Sequence, residues 1–262
     1  MASLIMSSLT SFNWRQIFDV IKQCHWMNER APPNRPYTPT TVEHIANVIT
    51  HGLWIPPSIW GAVSLVQRSS NWQQFWSGLI YSGSLILLFT VSTIFHCVFF
   101  CHGHAPIKDV LHRSDRAMIY IFIASSYFPW LTLTPLPADG WAAELWWLIW
   151  ILASMGILYQ QAFHERFKWL ETTFYLFIGV APALAIVSID IPGLYELQLG
   201  GVCYLAGVIF FKMDGRIPFA HAIWHLFVAF AASVHYFAIL DNLYPDKPRD
   251  SMSGITLKHD DL

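Results

Sequence analysis

Long apolar runs broken by short polar segments set the pattern of this chain. A membrane-crossing helix takes roughly 20 mostly apolar residues. Seven segments approach or reach that length: 45–67, 76–100, 115–135, 142–163, 171–189, 194–211 and 218–240. No Asp, Glu, Lys or Arg falls between Glu43 and Arg68, or from Ser69 to Ile107. The sixth segment is the shortest of the seven and begins beside Glu196. Pro56, Pro57, Pro129 and Pro182 interrupt several runs, which spanning helices tolerate when neighbours re-satisfy the freed backbone groups. The connections are short, so consecutive helices should pack as antiparallel neighbours in one bundle. The pattern predicts an all-α integral membrane protein, a seven-transmembrane-helix bundle over residues 43–240.

Composition supports that class. Of the 262 residues 55% are hydrophobic and only 12% charged, against about 25% charged in soluble domains. Thirteen tryptophans suit a chain with many rings at lipid–water boundaries. The net charge of −2 and the absence of a long basic run give no reason to expect nucleic acid as a partner. Cys24, Cys97, Cys101 and Cys203 form no C-x-x-C pair, and no disulfide framework is read from them.

Lysines and arginines orient the bundle. Eleven of the fifteen fall in the N-terminal segment and in the loops after the second, fourth and sixth spans. The rule therefore places the N-terminus in the cytosol and the C-terminus in a lumen or outside. Residues 1–42 are expected to form a cytosolic arm, with a short interfacial helix over 12–29 or no fixed structure. Residues 241–262 read as a disordered polar tail.

Against this background the stretch Phe219-Ala220-His221-Ala222-Ile223-Trp224-His225 stands out. Positions i and i+4 lie one above the other on a helix face, so His221 and His225 can grip one ion. The same spacing also fits histidines satisfied in a packed core. Depth separates the two readings. The orientation puts His221 and His225 in the first turns of span seven, His96 near the cytosolic end of span two, and Asp115 in the first turn of span three. Glu43, Asn47 and His51 form a stripe at the start of span one. These groups fall in one leaflet, as a shared site requires. His235 lies roughly 21 Å further along span seven and is too far away to join it.

Three imidazoles suit zinc and leave a fourth position for water, whose pKa the metal lowers. A carboxylate such as Asp115 can orient that water or take its proton. Ser92 precedes His96 by one turn and faces either a substrate oxygen or its own i−4 carbonyl. His51 is close enough to support the ligands, and Asn47 reads as polar glue between helices. His102, His104 and His112 read as solvated loop residues, and His25, His44, His164 and His259 as interfacial or solvated. Haem between paired histidines would leave Asp115 unexplained.

The residues EHIANVITHG (43–52), S-x-x-x-H (92–96), SDRAMIYIFIASSYFPW (114–130) and DGRIPFAHAIWHLFVAFAASVHYFAI (214–239) together resemble the progestin and adipoQ receptor family, which includes the hemolysin III-like proteins. The last of these stretches is most similar to the family's monocyte to macrophage differentiation factor branch. The resemblance covers about 37–240. It implies a seven-helix bundle with a cytosolic N-terminus and a buried zinc ion held by His96, His221 and His225. Asp115 matches the carboxylate beside the zinc, and Ser92 the serine of the same motif. It further implies residence in Golgi, late endosomal or lysosomal membranes and a link to signalling.

Two functions follow as expectations. One is an intramembrane zinc hydrolase acting on a lipid amide of the ceramide kind, with membrane lipid as substrate and Asp115 and Ser92 as catalytic residues. The other is a non-catalytic receptor or scaffold in which zinc is structural and cytosolic signalling proteins are the partners.

Overall fold

The computed structural model describes residues 25–32, 35–100, 105–136, 141–187, 189 and 191–245. Its regular structure is helical: α1 (Thr41–Gly52), α2 (Ile55–Arg68), α3 (Trp72–Phe100), α4 (Ala105–Leu133), a 3-10 turn (Trp141–Glu144), α5 (Leu145–Ala162), α6 (Lys168–Val187), α7 (Leu194–Phe211) and α8 (Ala220–Leu243). Every apolar segment read from the sequence is helical. Among the described residues four helices, Trp72–Phe99, Leu145–Ala162, Leu194–Phe211 and Ala220–Leu243, are long and apolar enough to cross a membrane on length and composition alone. The first segment is not one helix. Pro56 and Pro57 cannot continue the hydrogen-bond ladder of α1 but are well placed in a first turn. The chain breaks at Leu53–Trp54 and restarts as α2.

From α2 onward sequential helices are neighbours, α1 packs on α3, and α8 returns to pack against α1 as well as α7 and α4. The ring is thereby closed, with α3, α4 and α8 innermost. Leu65, Tyr81, Phe89, Tyr120, Trp130, Ile149 and Ile239 are fully buried between them. Gly156 makes one close approach possible: a Cβ there would stand 2.3 Å from the Tyr120 ring, so α5 reaches α4 only with glycine at that position. The outward faces carry Trp60, Met155, Leu158, Leu184 and Val202, all exposed. That is the inverse of a soluble protein and fits a lipid environment.

Between α6, α7 and the inner helices lies a cavity of about 970 Å³, with mostly apolar walls. Leu184 of α6 and Val202 of α7 line it while also being exposed on the outer surface, so it borders the gap between those helices. At one end the segment before α1 crosses the opening: Arg30, Ala31, Pro32, Pro36, Tyr37 and Pro39 line it. Gly215, at φ +71°, allows this crossing. A Cβ there would lie 2.5 Å from Arg30 Cα. Residues 25–29 are not helical, so the expected interfacial helix does not extend through them. The rest of that helix, the C-H-G-H loop at 101–104 and the tail beyond 245 lie outside the described residues.

Candidate metal centre

His221 and His225 project from the first two turns of α8 into the cavity, and His96 meets them from the last turns of α3. Their ring centroids form a near-regular triangle: His96–His221 5.2 Å, His96–His225 5.2 Å and His221–His225 4.6 Å. One nitrogen from each lies within 4.8 Å of the others, a separation at which three donors can share an ion. His96 and His225 are 3% and 1% exposed. Buried imidazoles normally find hydrogen-bond partners, yet Nε2 of His96 has none. A metal would satisfy it.

The other ring nitrogens are held from behind. The Thr50 hydroxyl donates to Ala46 O at 2.8 Å. Its oxygen is then free to accept the Nδ1–H of His225, 3.1 Å away. That arrangement leaves the lone pair on His225 Nε2, as ligation needs. Asp214 Oδ2 lies 3.6 Å from His221 Nδ1, an ion-pair contact rather than a hydrogen bond, and faces that ring. His51 stacks on His225 with centroids 3.5 Å apart and planes 16° from parallel, fixing the ring's tilt. Sequence reasoning missed Thr50 and Asp214. Asp214 sits in the quoted stretch before α8 but had no spacing to mark it.

Asp115 and Ser92 line the same cavity. Asp115 is not within mutual reach of the three histidine nitrogens. It therefore stands beside the cluster, where a carboxylate can act on a molecule held there. The helix carrying it begins ten residues earlier than the sequence reading placed span three, so Asp115 lies in its third turn, not its first. Ser92 is 1% exposed, and its hydroxyl does not bond its own i−4 carbonyl but lies within reach of the Asp115 carboxylate. The neighbouring Thr93 does make that backward bond, to Phe89 O at 2.6 Å. Ser92 thus directs its donor to the cavity side, where the Asp115 carboxylate can accept it.

Several polar residues differ from expectation. Asn47 is buried with neither side-chain atom hydrogen-bonded, so it is not glue between helices. Glu43 both caps its helix and pairs within the bundle. It completes the capping box with Thr40, accepts from the Tyr37 hydroxyl at 2.9 Å and accepts the backbone N–H of Phe219 at 3.3 Å. His44 is buried against Phe99, not solvated. His112 lies within α4, and His164 Nε2 meets its Nδ1 at 3.2 Å. With Glu165 these two form a second cluster of metal-ligating types. Glu165 is already bound by Arg116 and Lys168, each at 2.5 Å, and the histidines bond each other. A cation is not needed there, and Arg116 would repel one.

Comparison with known proteins agrees with the motifs. The sequence profile of the family described as Haemolysin-III related matches residues 40–236. The chain belongs to this family. The human monocyte to macrophage differentiation factor is 46% identical over 229 residues, 87% of this chain and 95% of that protein. The mouse protein of the same name is 47% identical over 221 residues, 84% and 92% of the two chains. The Hemolysin-3 homolog of Bacillus subtilis is 36% identical over 209 residues, 77% and 94%. Membership of this haemolysin-III, or progestin and adipoQ receptor, family makes the chain a membrane protein. The matched region contains every histidine of the cluster.

Proposed function

We propose that this protein is a zinc-dependent hydrolase of lipid amides, working inside the membrane at the leaflet on the cytosolic side. The observation that carries the reading is the three-histidine cluster at the wall of a large apolar cavity, with Asp115 and the Ser92 hydroxyl beside it. The donor set suits zinc, since three nitrogen ligands with a position left open describe a catalytic more than a structural site. Zinc held there supplies Lewis acidity, which polarises a carbonyl and eases the ionisation of water.

The chain's own residues do the remainder. The apolar walls receive an acyl chain entering sideways between α6 and α7. Ser92 donates to an oxygen of the bound amide. Asp115 accepts the proton of the attacking water and returns one to the departing nitrogen. Water's oxygen joins the acyl carbon, the C–N bond breaks, and a carboxylate and an amine result. The topology belongs to the same reading: seven crossings, counting α1 and α2 as one, with the N-terminus cytosolic and the C-terminus lumenal, in an endomembrane. The uneven distribution of basic residues supports it.

A second reading has one specific support. The name of the 46%-identical human relative, monocyte to macrophage differentiation factor, denotes differentiation, not a reaction. On that reading zinc locks α3 to α8, and the protein serves signalling without turnover. Hydrolysis of a C16 ceramide by purified, zinc-loaded protein separates the two. Turnover lost in Asp115→Asn with zinc retained supports the hydrolase, and zinc with no turnover in the wild type supports the scaffold.

A further inference from the structure

The opening of the cavity beside the metal centre is rimmed by cations from separate parts of the chain: Arg30 from the crossing segment, Arg116 from α4, Lys168 from the start of α6 and Lys212 from the end of α7. Carboxylates nearby account for only some of them. Glu171 and Glu165 both hold Arg116, at 2.9 and 2.5 Å, and Glu165 also holds Lys168 at 2.5 Å. Asp214 faces His221. Among the described residues no carboxylate oxygen lies within 4 Å of the Lys212 ammonium or the Arg30 guanidinium. Lys212 spends two donors on neutral oxygens, Thr172 Oγ1 at 3.2 Å and Lys168 O at 3.4 Å, and has a third to give. Burial first, then the nearby Arg116 and Lys168 and more weakly Arg30, push its pKa down. Carboxylates offset part of this charge, but the free donors of Arg30 and Lys212 remain available to an anion.

The preference of cytosolic loops for Lys and Arg explains how many basic residues lie at this end. It does not explain why two cations without carboxylate partners converge on the opening of an apolar cavity. Arg30 is brought there by a specific contact, its backbone lying over Gly215.

We propose that this rim binds the anionic head of a lipid, a phosphate or carboxylate held by Arg30 and Lys212, while the acyl chain occupies the apolar cavity. The inference rests on the lipid-site half of the reading above, not on turnover. It adds a class of ligand that the neutral amide does not cover. The fatty carboxylate released by amide hydrolysis falls in this class, and so does a lysophosphatidate arriving from the bilayer. Charge-assisted hydrogen bonds to such a head are among the stronger ones available to a protein surface, and guanidinium suits both head types.

The test uses full-length, zinc-loaded protein in phosphatidylcholine nanodiscs with a fluorescent C16 acyl probe bound. Displacement is measured with oleoyl lysophosphatidate, oleate, mono-oleoyl glycerol and inorganic phosphate. The two lipid anions should displace the probe at concentrations about tenfold lower than the uncharged glyceride, with the advantage shrinking in high salt. Arg30→Gln combined with Lys212→Gln should abolish the advantage and leave zinc content and glyceride displacement as in the wild type. Arg30 and Lys212 are exposed residues, only the Lys212 ammonium being partly buried, and neither holds a carboxylate, so this variant is expected to fold. Equal displacement by the glyceride, or an advantage that survives the double substitution, would overturn the proposal. Inorganic phosphate competing as well as lysophosphatidate would overturn the lipid-borne assignment. Displacement needs no catalysis, so a wild type that fails to hydrolyse amides removes the hydrolase reading and leaves this result standing.

Discussion

Glu43, near the start of α1, accepts the backbone N–H of Phe219, the residue that opens α8, at 3.3 Å. Phe219 has φ +59°, a left-handed conformation costly for a non-glycine residue, and Trp26 packs edge-on against its ring. One carboxylate thus caps the first helix and pins the start of the helix bearing two of the three clustered histidines. The placement of the histidine cluster depends on a contact between residues 176 positions apart in the chain.

Replacing Glu43 with Ala should remove the reciprocal cap and the Phe219 anchor together. Loss of hydrogen bonds to a buried charged group costs about 3 kcal/mol. Thermal unfolding in detergent should move down by several degrees, and zinc retention should weaken in the same variant. Unchanged unfolding would show that the Phe219 conformation holds without Glu43.

Thr50→Val should leave the fold intact and loosen the metal. The substitution keeps the shape of the side chain but removes the oxygen facing His225 Nδ1. Losing such a supporting partner costs roughly 10–100-fold in metal affinity, measurable by competition with a chromogenic chelator. A change of less than about twofold would mean that His225 is oriented by its stacking on His51 alone.

Much of this was legible in the sequence, and the divisions are physical. Apolar length alone gave the helices, since each segment must satisfy its own backbone in lipid. Histidine spacing on α8 and depth along α3 located the cluster. The α1–α2 break was half visible: the prolines were noted as interruptions, not as a new helix start. Thr50 and Asp214 were illegible because their roles depend on which ring nitrogen faces them, which no periodicity encodes. His112 was read as a solvated loop residue, and its pairing with His164 was not foreseen, because loop length says nothing about how α4 and the turn after α5 fold together.

His164, outside the helices, gives a pH prediction. Burial, and next the nearby Arg116, lower its pKa to about 4, while an unfolded histidine titrates near about 6.5. Between those values the unfolded chain binds the extra proton, so this group's contribution is intact above about pH 6.5 and declines as pH falls toward 4. Thermal stability should therefore drop over that interval, with a shallower slope in His164→Gln. Equal slopes would show that other groups dominate.

The most direct test of the central claim is the zinc content of detergent-purified protein, wild type beside His96→Ala. His96 contributes from a helix separate from the His221/His225 pair, so its loss opens the triangle without touching α8. Near one zinc per chain in the wild type, and a large loss in the variant with the helical signal preserved, is the predicted result. No zinc in the wild type, or equal zinc in both, would contradict the assignment of these three histidines to a metal centre.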